Sequence, residues 1–194
     1  MNYIEEIEKY VPINEQEIKD KEIILNYIRN NKDVLTRENE VAHITSSGFI
    51  VNKTRDKVLM IHHNIYNSWG WTGGHADGDS DLLHVAIKEA KEETGIKNVI
   101  PVTNDICCID ILPVIAHIKR GKYVAPHLHL SVAYVLEADE SEELVIKEDE
   151  NSGVKWIDIN DINTCTDEEH MRSVYKKLVN KVIKLNYISK IICK

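Results

Sequence analysis

Three carboxylates in this chain stand at a spacing that can do chemistry. Glu89, Glu92 and Glu93 fall at i, i+3 and i+4, so a helix presents them on one face about a turn apart. Such a patch repels itself unless it is fully solvated, or unless hard cations such as Mg²⁺ neutralise it through oxygen ligands. Just ahead of it runs Trp69-Gly70-Trp71-Thr72-Gly73-Gly74-His75-Ala76-Asp77-Gly78-Asp79, read as a glycine-rich loop. Its backbone can come close to a ligand or metal. Alone, the three glutamates would read as a surface charge cluster; joined to this loop they are far more specific.

The elements that must position these groups follow from pattern. Asp81 to Thr94 predicts a helix closed by Gly95, capped by Asp79, Ser80 or Asp81, with Leu82, Leu83, Ala86 and Ala90 along one side. Before it, Ala42 to Val51 and Val58 to His62 predict a β-hairpin around the polar turn Asn52 to Lys57. After it, strands are expected at about Ile106 to Lys119, His127 to Glu137 and Val154 to Ile157. Between Glu137 and Glu150 lies an acidic connection with eight carboxylates and one lysine, around the apolar piece Leu144 to Ile146. Met171 to Lys194 is a basic amphipathic run, with Val174, Leu178, Val182 and Leu185 at helical spacing; docking on the sheet is expected over membrane binding. Residues 1 to 40 are polar and helix-prone, with Ile23, Ile24, Leu25, Tyr27 and Ile28 as an apolar set and Asn14 as a helix start. Packing on the domain, dimerisation and shaping a substrate pocket all stay open for that segment. The expected class is α+β, an α/β/α sandwich with a mixed sheet, organised as an N-terminal helical extension (1–40) and one domain (41–194).

Composition narrows the function classes. The 194 residues carry 24 Lys plus Arg against 32 Asp plus Glu, a net charge of −8, which argues against nucleic-acid binding. An acidic protein that handles phosphates must use metal ions or local donors, because its overall field repels polyanions. No apolar run is long enough to span a bilayer, and Met1 to Tyr10 lacks a signal peptide's apolar core, so a cytoplasmic protein without membrane contact is expected. Cys107, Cys108, Cys165 and Cys193 show neither Cys-x-x-Cys nor zinc-finger spacing and read as reduced thiols. Dinucleotide-binding, P-loop and His-Glu-x-x-His motifs are absent from the sequence.

From Gly74 through Lys88-Glu89-Ala90-Lys91-Glu92-Glu93-Thr94-Gly95-Ile96, the chain resembles the Nudix hydrolases, whose signature keeps every spacing across these 23 positions. Two positions depart from it. Ser80 stands where the signature has its first Glu, with Asp77, Asp79 and Asp81 nearby, and Lys88 stands for Arg, keeping the charge without the planar fork. The resemblance implies Mg²⁺ or Mn²⁺ held by Glu89, Glu92, Glu93 and the Gly73 carbonyl, with Lys88 orienting the glutamates. It also implies a carboxylate upstream of Trp156 as ligand or general base, for which Glu150 is the best match and Glu148 the fallback. The implied reaction is attack of water at phosphorus in a nucleoside diphosphate linked to another moiety, ADP-ribose or a related nucleotide.

A His-x-His strand and a Gly-Gly-His loop recur among members, so the resemblance places His62, His75, His127 and His129 on the substrate side. Tyr66, Trp69 and Trp71 offer stacking surfaces for a base or ribose-linked ring. A zinc site is open by residue type, although no local ligand spacing supports it. The implied partner is a small nucleotide, and a homodimer is within the family's habits. Two competing readings remain: a nucleotide-sensing module in which Ser80 marks lost catalysis, and isopentenyl diphosphate isomerase. The intact glutamates oppose the first. Gly73 and Gly74, where an isomerase needs its cysteine, oppose the second.

Overall fold

The computed structural model describes residues 2–119 and 121–192, with 187–192 described by backbone alone. Cys193 and the last residue of the basic run lie outside the described residues. The elements in chain order are α1 (Tyr3–Lys9), α2 (Glu15–Asn30), β1 (Ala42–Asn52), β2 (Lys57–His63), β3 (Ser68–Gly70), β4 (Thr72–His75), α3 (Leu82–Thr94), β5 (Val99–Pro101), β6 (Cys108–Val114), β7 (His117–Lys119), β8 (Lys122–Val124), β9 (His127–Ala138), β10 (Asn151–Asp158), α4 (Ile162–Cys165) and α5 (Glu169–Ile192). The main sheet runs β10-β2-β1-β9-β5, with β3 on β2, β4 on β1 and β6 on β9; β7 and β8 form a separate ribbon. The class is α+β with a mixed sheet, as expected. Two compact units divide the chain, one of Met1–Ser47, Gly73–Ala86 and Asn104–Tyr134, the other of Gly48–Thr72, Ile87–Thr103 and Val135–Lys194.

In the first unit, α2 starts at Asn14, whose side chain accepts from the Glu17 amide at 2.8 Å, the N-cap the sequence predicts. Ile24 and Ile28 are buried, and α2 lies on β6. Asp20 accepts from the Ile111 amide at 3.0 Å, and buried Glu17 accepts from Ile13 at 2.9 Å. The N-terminal segment therefore packs onto this unit. β6 pairs antiparallel with β9, from Cys108 opposite Ala133 to Val114 opposite His127. The single strand expected over 106–119 is two, because after Val114 the chain leaves β9 and pairs His117 with Val124 in the β7–β8 ribbon. The first turn of α3 is capped by Asp81, whose carboxylate accepts from the His84 amide at 2.9 Å.

In the second unit, Ile50 pairs with Leu59 in the expected hairpin. Its turn is held by the Asn52 side chain, which accepts from the amides of Asp56 and Lys57 at 3.1 Å each. β10 pairs antiparallel with β2 along its length, Trp156 opposite Leu59. α5 buries Met171, Val174, Tyr175, Leu178 and Val182, which accounts for the apolar stripe of the basic run. Among the described residues no helix is long and apolar enough to cross a membrane.

The stretch read as a loop over Trp69 to Asp79 contains strands β3 and β4. Gly73 explains why a glycine-rich piece can pair here: a Cβ on it would lie 2.9 Å from the Ser47 Cα, so only hydrogen fits against the neighbouring backbone.

Candidate active site

The second half of α3 belongs to the second unit and carries Lys88, Glu89, Glu92 and Glu93. Ala90 and Thr94 are fully buried, which sets the rotation of the helix. That rotation leaves Glu89 half-buried, draws Glu93 to 3% exposure and turns Glu92 outward.

Hydrogen bonds tie the acidic connection to the end of this helix and close a turn within it. The Val145 amide donates to the Thr94 carbonyl at 2.8 Å, and Glu142 accepts from the Lys97 amide at 2.8 Å. Gly95 makes the close approach to Val145: its φ is +77°, and a Cβ there would sit 2.6 Å from the Val145 Cβ. Next, the amides of Glu150 and Asn151 both donate to the Lys147 carbonyl at 2.8 Å, closing a tight turn, and the Asn64 amide donates to the Glu150 carbonyl at 3.0 Å. Finally the fully buried Asn151 side chain donates to the Glu93 carbonyl at 2.9 Å. Glu89, Glu93 and Glu150 consequently each offer a carboxylate oxygen within 4.8 Å of the others. Oxygen donors at this density suit a hard divalent cation.

Two lysines border the cluster. Lys147 lies 3.1 Å from Glu150 and 3.5 Å from Glu92; Lys88 lies 3.5 Å from Glu89 and 3.9 Å from Glu92. Burial raises the Glu89 carboxyl above its usual range, with Lys88 opposing and Glu92 reinforcing. Burial works against the charge of Lys147, but the hydrogen bond and charge of Glu150, helped by Glu92 and Glu89, outweigh it and hold the ammonium above its ordinary value.

Of the residues expected from sequence, Glu89, Glu93 and Glu150 come together, Glu92 sits beside them between two lysines, and Glu148 is exposed. His62, Tyr66 and Trp71 belong to the same unit. His62 Nδ1 lies 2.9 Å from the Ser152 hydroxyl, the Tyr66 ring packs 4.7 Å from His63, and Trp71 meets the buried Tyr175 edge-on at 5.8 Å. Gly73 and the exposed Ser80 belong to the other unit, as do His75, His127 and His129, which meet one another and His43. Lys147, Asn151 and His43 were not singled out by sequence reasoning. The signals were faint: a lone lysine in an acidic run, an asparagine beside Glu150, and a histidine in an apolar strand.

The NUDIX domain model matches residues 42–178. An RNA pyrophosphohydrolase of Pelagibacter ubique (strain HTCC1062) is 30% identical over 140 residues, covering 70% of this chain and 88% of that protein. Among solved structures, a C. elegans Ap4A hydrolase binary complex superposes with a TM-score of 0.54 at 20% identity, covering 73% of this chain and 98% of the other. The E. coli dihydroneopterin triphosphate pyrophosphohydrolase gives 0.54 at 16% identity, covering 70% and 94%. With its spacing from Gly74 to Ile96 intact and two glutamates of that box gathered with Glu150, the chain belongs to the Nudix family of hydrolases that act on diphosphate linkages.

Proposed function

We propose that this hydrolase cleaves a nucleoside diphosphate linked to a further moiety, with Mg²⁺ or Mn²⁺ held by Glu89, Glu93 and Glu150. The observation that carries the reading is the convergence of these three carboxylates, one of them buried, in a chain of this family. Glu92, beside the cluster, completes or supports the ligand set. A divalent cation bound there masks the charge of the diphosphate and acidifies the attacking water.

The protein's own groups do the rest. Glu150 sits on a loop pinned at both ends and takes the proton of the attacking water, as general base or as ligand beside it. Lys88 and Lys147 offset the carboxylate charge, and Lys88 steadies Glu89 and Glu92 in their positions. Lys88 does this as a point charge, without the bidentate fork of the family's arginine. The half-exposed rings of Tyr66 and Trp71 offer stacking to a base or ribose-linked group, and His62 offers a hydrogen bond.

The names of the relatives supply part of the panel for the test, RNA, Ap4A and dihydroneopterin triphosphate, to which nucleoside diphosphate derivatives such as ADP-ribose are added. Each is incubated with Mg²⁺ or Mn²⁺ at pH 7 and 9, and products are identified by chromatography and mass spectrometry. Metal-dependent release of two phosphate-bearing products supports the reading; binding of these compounds without turnover replaces it with a sensing role.

A further inference from the structure

In the first unit, four histidines from three strands converge: His43 of β1, His75 at the end of β4, and His127 and His129 of β9. Each offers a ring nitrogen within 4.8 Å of the other three. His127 Nε2 and His129 Nε2 are 3.3 Å apart. A tetrahedral ion with metal–nitrogen bonds of about 2.0–2.1 Å has ligand–ligand edges of about 3.3–3.4 Å, so this pair already spans one edge.

The rings are oriented as ligands. His43 Nδ1 lies 2.9 Å from the Asn39 carbonyl, and His127 Nδ1 lies 2.9 Å from the Ala125 carbonyl. A carbonyl only accepts, so Nδ1 carries the hydrogen in both rings and Nε2 presents a lone pair, the same outer hydrogen bond that fixes metal-binding imidazoles elsewhere. His43 is 4% exposed, and its Nε2 has no hydrogen-bond partner among the described residues. A buried acceptor left in that state is unfavourable, and a bound ion would offset the penalty.

Neutral imidazole is the form that binds metal, and the charge of Arg37 bears on His43, His75 and His129. Arg37 is itself paired with Asp77 through two bonds of 2.9 and 2.8 Å, which tempers its repulsion of a cation. Nitrogen donors select against Mg²⁺ and favour borderline transition ions.

We infer that His43, His75, His127 and His129 form a second metal centre, a closed tetrahedral site for Zn²⁺ or a neighbouring divalent transition ion. It shares no residue with the carboxylate cluster and differs from it in donor chemistry. By cross-linking β1, β4 and β9 it stabilises the first unit.

The test uses the full chain stripped with chelator and titrated with Zn²⁺ and Co²⁺. The expected results are one Zn²⁺ per chain with Kd below about 1 µM, intense visible d–d bands for Co²⁺, and a rise in Tm on Zn²⁺ binding. X-ray absorption on the zinc-loaded protein should give four nitrogen neighbours at about 2.0 Å. The double variant His127→Gln, His129→Gln, with its fold checked by circular dichroism, should weaken Zn²⁺ by roughly 100-fold or more. Glu89→Gln with Glu93→Gln should leave that affinity unchanged. Zn²⁺ binding weaker than micromolar, loss of binding in the glutamate variant alone, or an oxygen-dominated coordination shell would each overturn the inference. If the histidine variant does not fold, the absorption spectrum of the wild-type protein decides.

Discussion

The side chain of Asn151 donates a 2.9 Å hydrogen bond to the main-chain carbonyl of Glu93, joining the first residue of β10 to the last turn of α3. Glu150 is the chain neighbour of one partner and Glu93 is the other, so this bond sets the distance between two of the clustered carboxylates. Asn151→Ala leaves the carbonyl without its donor and frees the loop. The expected loss is about 1–3 kcal/mol of stability in urea unfolding, with kcat lower by about tenfold or more. A stability loss with unchanged kcat would mean that this bond does not position Glu150.

Gly95 is a second fixed point. A Cβ there meets Val145, and the backbone is left-handed at φ +77°. Gly95→Ala should cost about 2 kcal/mol or more, from the left-handed conformation and the displaced loop together. The urea midpoint is the readout, and an unchanged midpoint would contradict the packing described.

Lys147 competes with a cation for the same carboxylates. Removing its charge in Lys147→Gln makes the cluster more negative, so Mn²⁺ measured by electron paramagnetic resonance without substrate should bind more tightly, by about two- to fivefold. Weaker binding would show instead that Lys147 organises the ligands.

The histidine cluster predicts an acid-labile apo protein. For His75 and His129 the folded-state values, about 3 and about 2, lie below the ordinary imidazole value of 6.5. The unfolded chain therefore binds more protons than the native one once pH falls below 6.5, and stability drops from there towards the folded values. In chelator, each imidazole should add a slope of up to about 1.4 kcal/mol per pH unit between pH 6 and 4. His75→Gln with His129→Gln should flatten that slope in urea unfolding measured across pH. An equal slope in the variant would assign the acid lability to other groups.

Much of this was legible in the sequence because it is local. The i, i+3, i+4 spacing of Glu89, Glu92 and Glu93, the Asn14 cap and the Gly95 stop are decided within a helical turn or two. Glu150 could be named through its place before Trp156. What stayed hidden is set by distant partners. The half-burial of Glu89 against the exposure of Glu92 depends on which face of α3 Ala90 and Thr94 bury. The meeting of His43 with His75, His127 and His129 depends on strand pairing across the chain, which no spacing encodes. The strands within the glycine-rich stretch were masked because glycine lowers strand propensity even where a neighbouring backbone, as at Ser47, requires it.

The most direct measurement is metal-dependent turnover of the wild-type chain and of Glu93→Gln on the substrate panel, with folding of both confirmed by circular dichroism. Turnover is expected in Mg²⁺ or Mn²⁺, abolished by chelator, and lower by about 100-fold or more in the variant. Turnover by Glu93→Gln near the wild-type rate would contradict the carboxylate cluster as the active site.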